Sequence, residues 1–93
     1  MFKKDARIKS KYGIHARPSA AIATVAINEF PNTSITIIDN EDNQQADAQS
    51  ILSLLTMSLS CGKIVTVCAS GKDEKKAVEK IVSIIETFEI EST

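Results

Sequence analysis

Gly13-Ile14-His15-Ala16-Arg17-Pro18-Ser19-Ala20-Ala21-Ile22-Ala23-Thr24-Val25-Ala26-Ile27 is the stretch on which the fold of this chain turns. Beyond Pro18 it is rich in helix formers and free of Gly and Pro. Pro18 itself suits a first helical turn, where its missing N–H is not needed and its fixed φ is already helical. The spacing predicts a helix from about Ala16 to Asn28, offering Ala20, Ile22, Ala23, Val25, Ala26 and Ile27 to a core, with Pro31-Asn32 opening the turn that follows. His15, the only histidine of the chain, then stands at a helix N-terminus, where free backbone N–H groups and the helix dipole favour an anion. Arg17 adds a planar, permanently charged fork suited to phosphate oxygens. Histidine, helix end and arginine together suggest a phosphoryl site, with the backbone of Ala16 and Arg17 as its donors.

Working outward, Phe2 to Lys9 alternates loosely and reads as a first strand, and Ser10-Lys11-Tyr12-Gly13 as the loop leading to the histidine. After the helix, Ser34-Ile35-Thr36-Ile37-Ile38 is β-branched and predicts a second strand. Asp39-Asn40-Glu41-Asp42-Asn43 is a polar hairpin tip, and Gln44 to Ala48, weak in propensity, is the returning third strand. Ser50 is placed as N-cap of a short apolar helix over Ile51 to Leu59, with Gly62 as its stop. Ile64-Val65-Thr66-Val67-Cys68-Ala69 is a strand ended by Gly71. Asp73-Glu74 bring negative charge to the start of a last helix, in which Ala77, Val78, Ile81, Ile85 and Phe88 recur at helical spacing. The order β-α-β-β-α-β-α, as a single domain spanning residues 1–93, predicts a two-layer α/β sandwich: a small, mostly antiparallel sheet with helices on one face.

Ninety-three residues leave room for one core. With a formal charge of −1, no basic stripe, and three Phe, one Tyr and no Trp, the chain offers nucleic acid little to bind. The N-terminus turns polar at once, and the longest apolar-rich stretch, Ile51 to Leu59, is too short to span a bilayer, so a cytoplasmic protein without membrane insertion is expected. Cys61 and Cys68 read as free thiols, and a single histidine without Cys-x-x-Cys argues against a metal site. No cofactor is called for. Paired carboxylates, a nucleophile elbow and a nucleotide loop are all missing from the sequence, which disfavours a free-standing enzyme.

The element order, the Gly-x-His-x-Arg-Pro run and the Ser-capped apolar helix followed by Gly together resemble the HPr family, the histidine phosphocarriers of the phosphoenolpyruvate-dependent phosphotransferase system. The likeness runs from Met1 to about Glu89 and includes Ala69-Ser70-Gly71-Lys72-Asp73-Glu74-Lys75-Lys76-Ala77, which looks like the family's passage from last strand to last helix. It implies an open-faced β-sandwich of four strands and three helices, acting as a monomer. It also implies that His15 accepts a phosphoryl group on Nδ1 from phosphorylated Enzyme I and passes it to an Enzyme IIA, with Arg17 assisting. Ser50 matches the serine that an HPr kinase modifies in many Gram-positive bacteria. Ile51, Leu52 and Leu55 match apolar positions where partners dock, and residue type alone does not apportion them between core and surface. The sequence departs from the family's pattern at Gln49, where lysine is common, and at Ser53 and Ser58, where glycines are frequent in kinase-regulated members. Ala46 to Leu55 looks somewhat like the nitrogen-branch relatives, which act on transcriptional regulators and enzymes by binding. Sugar carrier and regulatory carrier therefore both stand, and both use His15. A plain binding module would carry no acid-labile phosphate.

The chemistry suits these residue types. An imidazole with an unperturbed pKa of about 6.5 is abundantly neutral at neutral pH and free to attack. The helix end and Arg17 both disfavour imidazolium, so they should depress that pKa. The same donors then stabilise the phosphoryl oxygens once the group arrives.

Overall fold

The computed structural model describes residues 1–9, 16–57 and 62–87, with the backbone alone at residues 16 and 17. Its elements are β1 (Phe2–Arg7), α1 (Ala16–Glu29), β2 (Thr33–Asp39), β3 (Gln44–Asp47), α2 (Ile51–Leu55), β4 (Ile64–Gly71) and α3 (Glu74–Thr87). The order β-α-β-β-α-β-α expected from the sequence is the order observed.

The most β-branched strand becomes an interior one. The sheet runs β1-β4-β2-β3, and its three pairings are all antiparallel. The register sets Ala6 opposite Val65, Val67 opposite Ile37, and Ile37 opposite Ala46. All five are buried, so one face of the pleat is apolar from edge to edge. The alternate residues form the rows Asp5–Thr66–Ile38–Gln45 and Lys3–Cys68–Thr36–Asp47 on the open face. There Thr66 Oγ1 donates to Asp5 Oδ1 at 2.8 Å and receives Asn40 Nδ2 at 3.0 Å.

The helices cover the apolar face. In α3, Ala77, Val78, Ile81, Val82 and Ile85 recur at helical spacing and all are buried. Helix α3 packs on β1 and β4, and α1 packs on α3 and α2. One core takes in Ile8 and Ile22 together with Ile35, Leu54, Val67 and Ile81. Each fully buried Ile, Leu or Val contributes about 1.5–3 kcal/mol relative to exposure.

Boundaries differ from expectation in an instructive way at α2. It ends at Leu55 rather than Leu59. The Thr56 hydroxyl donates to the Ser53 carbonyl at 2.7 Å, and Met57 N reaches back only three residues to Leu54 O at 3.3 Å. The last turn thus tightens and closes, and Met57 turns into the core. Gly62 is not its stop. With φ +91° it instead turns the chain into β4. β1 closes at Arg7 rather than Lys9, although Ile8 still pairs beyond it: its N–H reaches Lys63 O at 2.9 Å, and its carbonyl receives Gly62 N at 2.7 Å. β3 closes at Asp47, and Ala48 N still donates to Ile35 O at 3.0 Å. β4 runs on to Gly71, where φ is +128° and an added Cβ would lie 2.9 Å from the Asn32 carbonyl oxygen, so a side chain is excluded. The loop Ser10 to Gly13, Ser58, Leu59, Cys61 and Phe88 lie outside the described residues.

Candidate functional site

Helix α1 opens at Ala16, directly after the histidine, and its first turn carries no acidic side chain. Pro18 and Ser19 of that turn are both buried. His15 and the side chains of Ala16 and Arg17 lie outside the described residues. What the structure does show is the frame on either side of them.

On the upstream side, the end of β1 is pinned. Besides the two backbone bonds that join Ile8 to Gly62 and Lys63, Arg7 Nη1 donates to Gly62 O at 3.2 Å. Lys63 is itself locked from below. Its ammonium lies 2.7 Å from Asp39 Oδ2 and 2.6 Å from Asp42 Oδ2, with the lysine side chain only 10% exposed and the Asp39 carboxylate fully buried. Asp39 Oδ1 also accepts the backbone N–H groups of Glu41 at 3.1 Å and Asp42 at 3.4 Å. Burial pushes the Asp39 carboxyl up. The Lys63 ammonium and the two backbone N–H groups outweigh it and hold the group below its usual range. Hydrogen bonds to Asp39 and then Asp42 raise the Lys63 ammonium above its ordinary value. Such a buried pair fixes geometry more surely than it adds stability. Here it ties the β2–β3 hairpin tip to the strand that holds Ile8.

On the other side, α2 is anchored to the far end of α1. Gln49 Nε2 donates to the carbonyls of Ala26 and Phe30, both at 3.3 Å, and lies 3.5 Å from Thr33 O. Ser50 follows in extended geometry, φ −118° and ψ 112°, and its Oγ accepts Ser53 N at 3.1 Å, the N-cap expected from the sequence. Asp47 completes the turn, its Oδ1 accepting Gln49 N at 2.9 Å and its own N–H donating to Ser53 Oγ at 3.1 Å. Ser50 thus opens α2, which packs against α1.

Helix α2 divides its apolar residues between core and surface. Leu54 is fully buried, while Ile51 is 43% exposed, Leu52 76% and Leu55 42%. Ile51 and Leu55, four residues apart, share one side of the helix, with Leu52 beside them. Ile27 on α1 is half exposed as well, although its spacing had suggested core. Sequence reasoning did not reach Lys63–Asp39–Asp42 or the Gln49 anchor. These contacts join residues 24 and 23 apart, and no local pattern signals them.

Comparison with known proteins agrees with this geometry. The family model described as "PTS HPr component phosphorylation site" matches residues 2–87. The phosphocarrier protein HPr of Haemophilus influenzae is 36% identical over 89 residues, covering 96% of this chain and all of that protein. The HPr-like protein Crh of Halalkalibacterium halodurans is 34% identical over 86 residues, covering 92% of this chain and 98% of the relative. The crystal structure of HPr-C-His from Thermoanaerobacter tengcongensis superimposes with a TM-score of 0.85 at 32% identity, over the whole of both chains. A match to the family over nearly all of the chain, joined to the same open-faced sandwich, places it: the chain belongs to the HPr family, the phosphocarriers of the phosphotransferase system.

Proposed function

We propose that this protein carries a phosphoryl group on His15, taking it from phosphorylated Enzyme I and passing it to an Enzyme IIA in sugar uptake. The observation that carries this reading is the start of α1 at Ala16, which puts the chain's only histidine directly before a helix whose first turn holds no competing carboxylate. The lone pair on Nδ1 of the neutral imidazole attacks phosphorus. The P–N bond forms as the bond to the donor breaks, and the bonding pair stays with the donor. The ring keeps its Nε2 proton until solvent takes it. Return transfer runs the same steps in reverse. Positioning and charge neutralisation dominate such a transfer, and Arg17 with the backbone N–H groups of Ala16 and Arg17 supplies both.

Ile51, Leu52 and Leu55 are the docking side for Enzyme I and Enzyme IIA. They form a small exposed apolar patch, of the size that suits transient partners. Ser50 is in this reading the site of an HPr kinase. A phosphoryl group there would bring nearly two negative charges beside Asp47 and Leu52. A nitrogen-branch regulatory carrier that acts on other proteins by binding is the second reading, supported by the likeness of Ala46 to Leu55 to those relatives and separated from the first by which Enzyme IIA accepts the group.

Incubation with phosphoenolpyruvate and Enzyme I is expected to add the mass of one phosphoryl group, lost again in mild acid. His15→Ala should abolish that gain while the circular dichroism spectrum stays that of the folded protein. A His15→Ala protein that still takes up acid-labile phosphate overturns the assignment.

A further inference from the structure

We infer that two copies of this protein associate through their open sheet faces, with Lys3 of each copy meeting Asp47 of the other. The inference is independent of His15 and departs from the monomer that the family likeness implies. The open face has the charge layout of an association surface. Its inner strands, β4 and β2, carry Thr66, Cys68 and Ser70 beside Ser34, Thr36 and Ile38, none of them charged. The charges stand exposed on the edge strands, Lys3, Asp5 and Arg7 on β1 and Asp47 on β3. An uncharged centre inside a charged rim is how protein interfaces are built. Thr66, near the middle, is already bonded to Asp5 and Asn40, so covering it leaves no hydroxyl unpaired.

The register decides the orientation. The row Lys3–Cys68–Thr36–Asp47 crosses the whole sheet with a cation at one edge and an anion at the other. A two-fold axis parallel to the strands, centred between β4 and β2, lays each row over its own copy in reverse. Lys3 then faces the second copy's Asp47, Cys68 faces Thr36, and Asp5 faces the neutral Gln45, so opposite charges meet at both ends. An axis running across the strands through Asp5 does the reverse. It sets Asp5 on Asp5 and Lys3 on Arg7, repulsive along all of β1. Four short strands about 4.8 Å apart make a face smaller than the roughly 800 Å² per partner of a standard complex, so the dimer is weak and reversible. The helices cover the opposite face, and Leu52 stays exposed in the pair.

The test is sedimentation equilibrium of the full chain over a concentration series reaching about 1 mM, where a monomer–dimer equilibrium is expected. Lys3→Glu or Asp47→Lys alone brings like charges together at both ends of the interface and should weaken association about tenfold or more. Mixing the two variants in equal amounts should restore it, because each then supplies the charge that the other lacks. Asp47→Asn keeps an acceptor for Gln49 N and should weaken association about threefold, which preserves the test if Asp47→Lys fails to fold. A chain that stays monomeric throughout the series, or a dimer indifferent to Lys3→Glu, overturns the inference. So does a mixture of folded variants that associates no more tightly than either one alone.

Discussion

Helices α1 and α3 are both fourteen residues long, and their N-termini are opposites. α3 brings its own anion: Glu74 sits in its first turn, accepts Gly71 N through Oε1 at 3.3 Å and meets the N-terminal amine through Oε2 at 3.0 Å. Those partners, the amine first, hold its carboxyl below the ordinary value of 4.5. α1 has no acidic residue in its first turn, and the short α2 is closed by its own Ser50. A helix end attracts negative charge wherever it lies. At α3 that attraction is answered from within the chain. At α1 the first turn supplies no carboxylate, and in the proposed reading the attraction is left for a phosphoryl group that comes and goes.

Three changes test that contrast. The largest effect is expected from giving α1 what α3 has. Ala16→Glu should lower the rate of phosphoryl acceptance from Enzyme I about tenfold or more, since a fixed carboxylate repels the incoming group. Its melting temperature should hold or rise, because the dipole favours the new charge. Unchanged acceptance in a rapid-quench assay would mean that the open helix end does not matter to transfer.

A middling effect is expected at the self-capped helix. Ser50→Ala should cost about 1 kcal/mol in urea unfolding through loss of the bond to Ser53 N, with phosphoryl acceptance at His15 intact. The smallest lies at α3. Glu74→Gln should lower the melting temperature slightly at neutral pH. Because the folded carboxyl lies below 4.5, its contribution is present above that pH and is lost as pH falls through the folded value. Parent and variant melting curves should therefore converge in acid. A difference that persists there would assign the effect to lost packing instead of charge.

Much of the fold was legible because the signals are local. Alternation in Ile64 to Ala69, the helical period in α3 and the Ser50 cap each involve residues within one element, and each reappeared in place. β3 was the weakest expectation, since Gln44 and Gln45 have little strand preference. It forms because β2 offers it a ladder, with Ile37 opposite Ala46. For the candidate site the sequence offered residue types and their spacing but not the framing around them. His15, Arg17 and Pro18 announce a phosphoryl site through residue type and spacing. Nothing in the spacing says that Lys63 closes on Asp39, or that Gln49 reaches across to Ala26 and Phe30.

By itself, the sequence determined where helices and strands begin, which residue types are candidates for labile chemistry and which family the chain resembles. These follow from backbone preference and periodicity, which act over three or four residues. The tertiary structure alone decided that α2 stops at Leu55, that Leu54 points inward while Ile51, Leu52 and Leu55 stay exposed, and that a buried ammonium joins the hairpin tip to β4. Those outcomes depend on sheet register and on which helix end faces which strand, and both are set only when distant segments share one core.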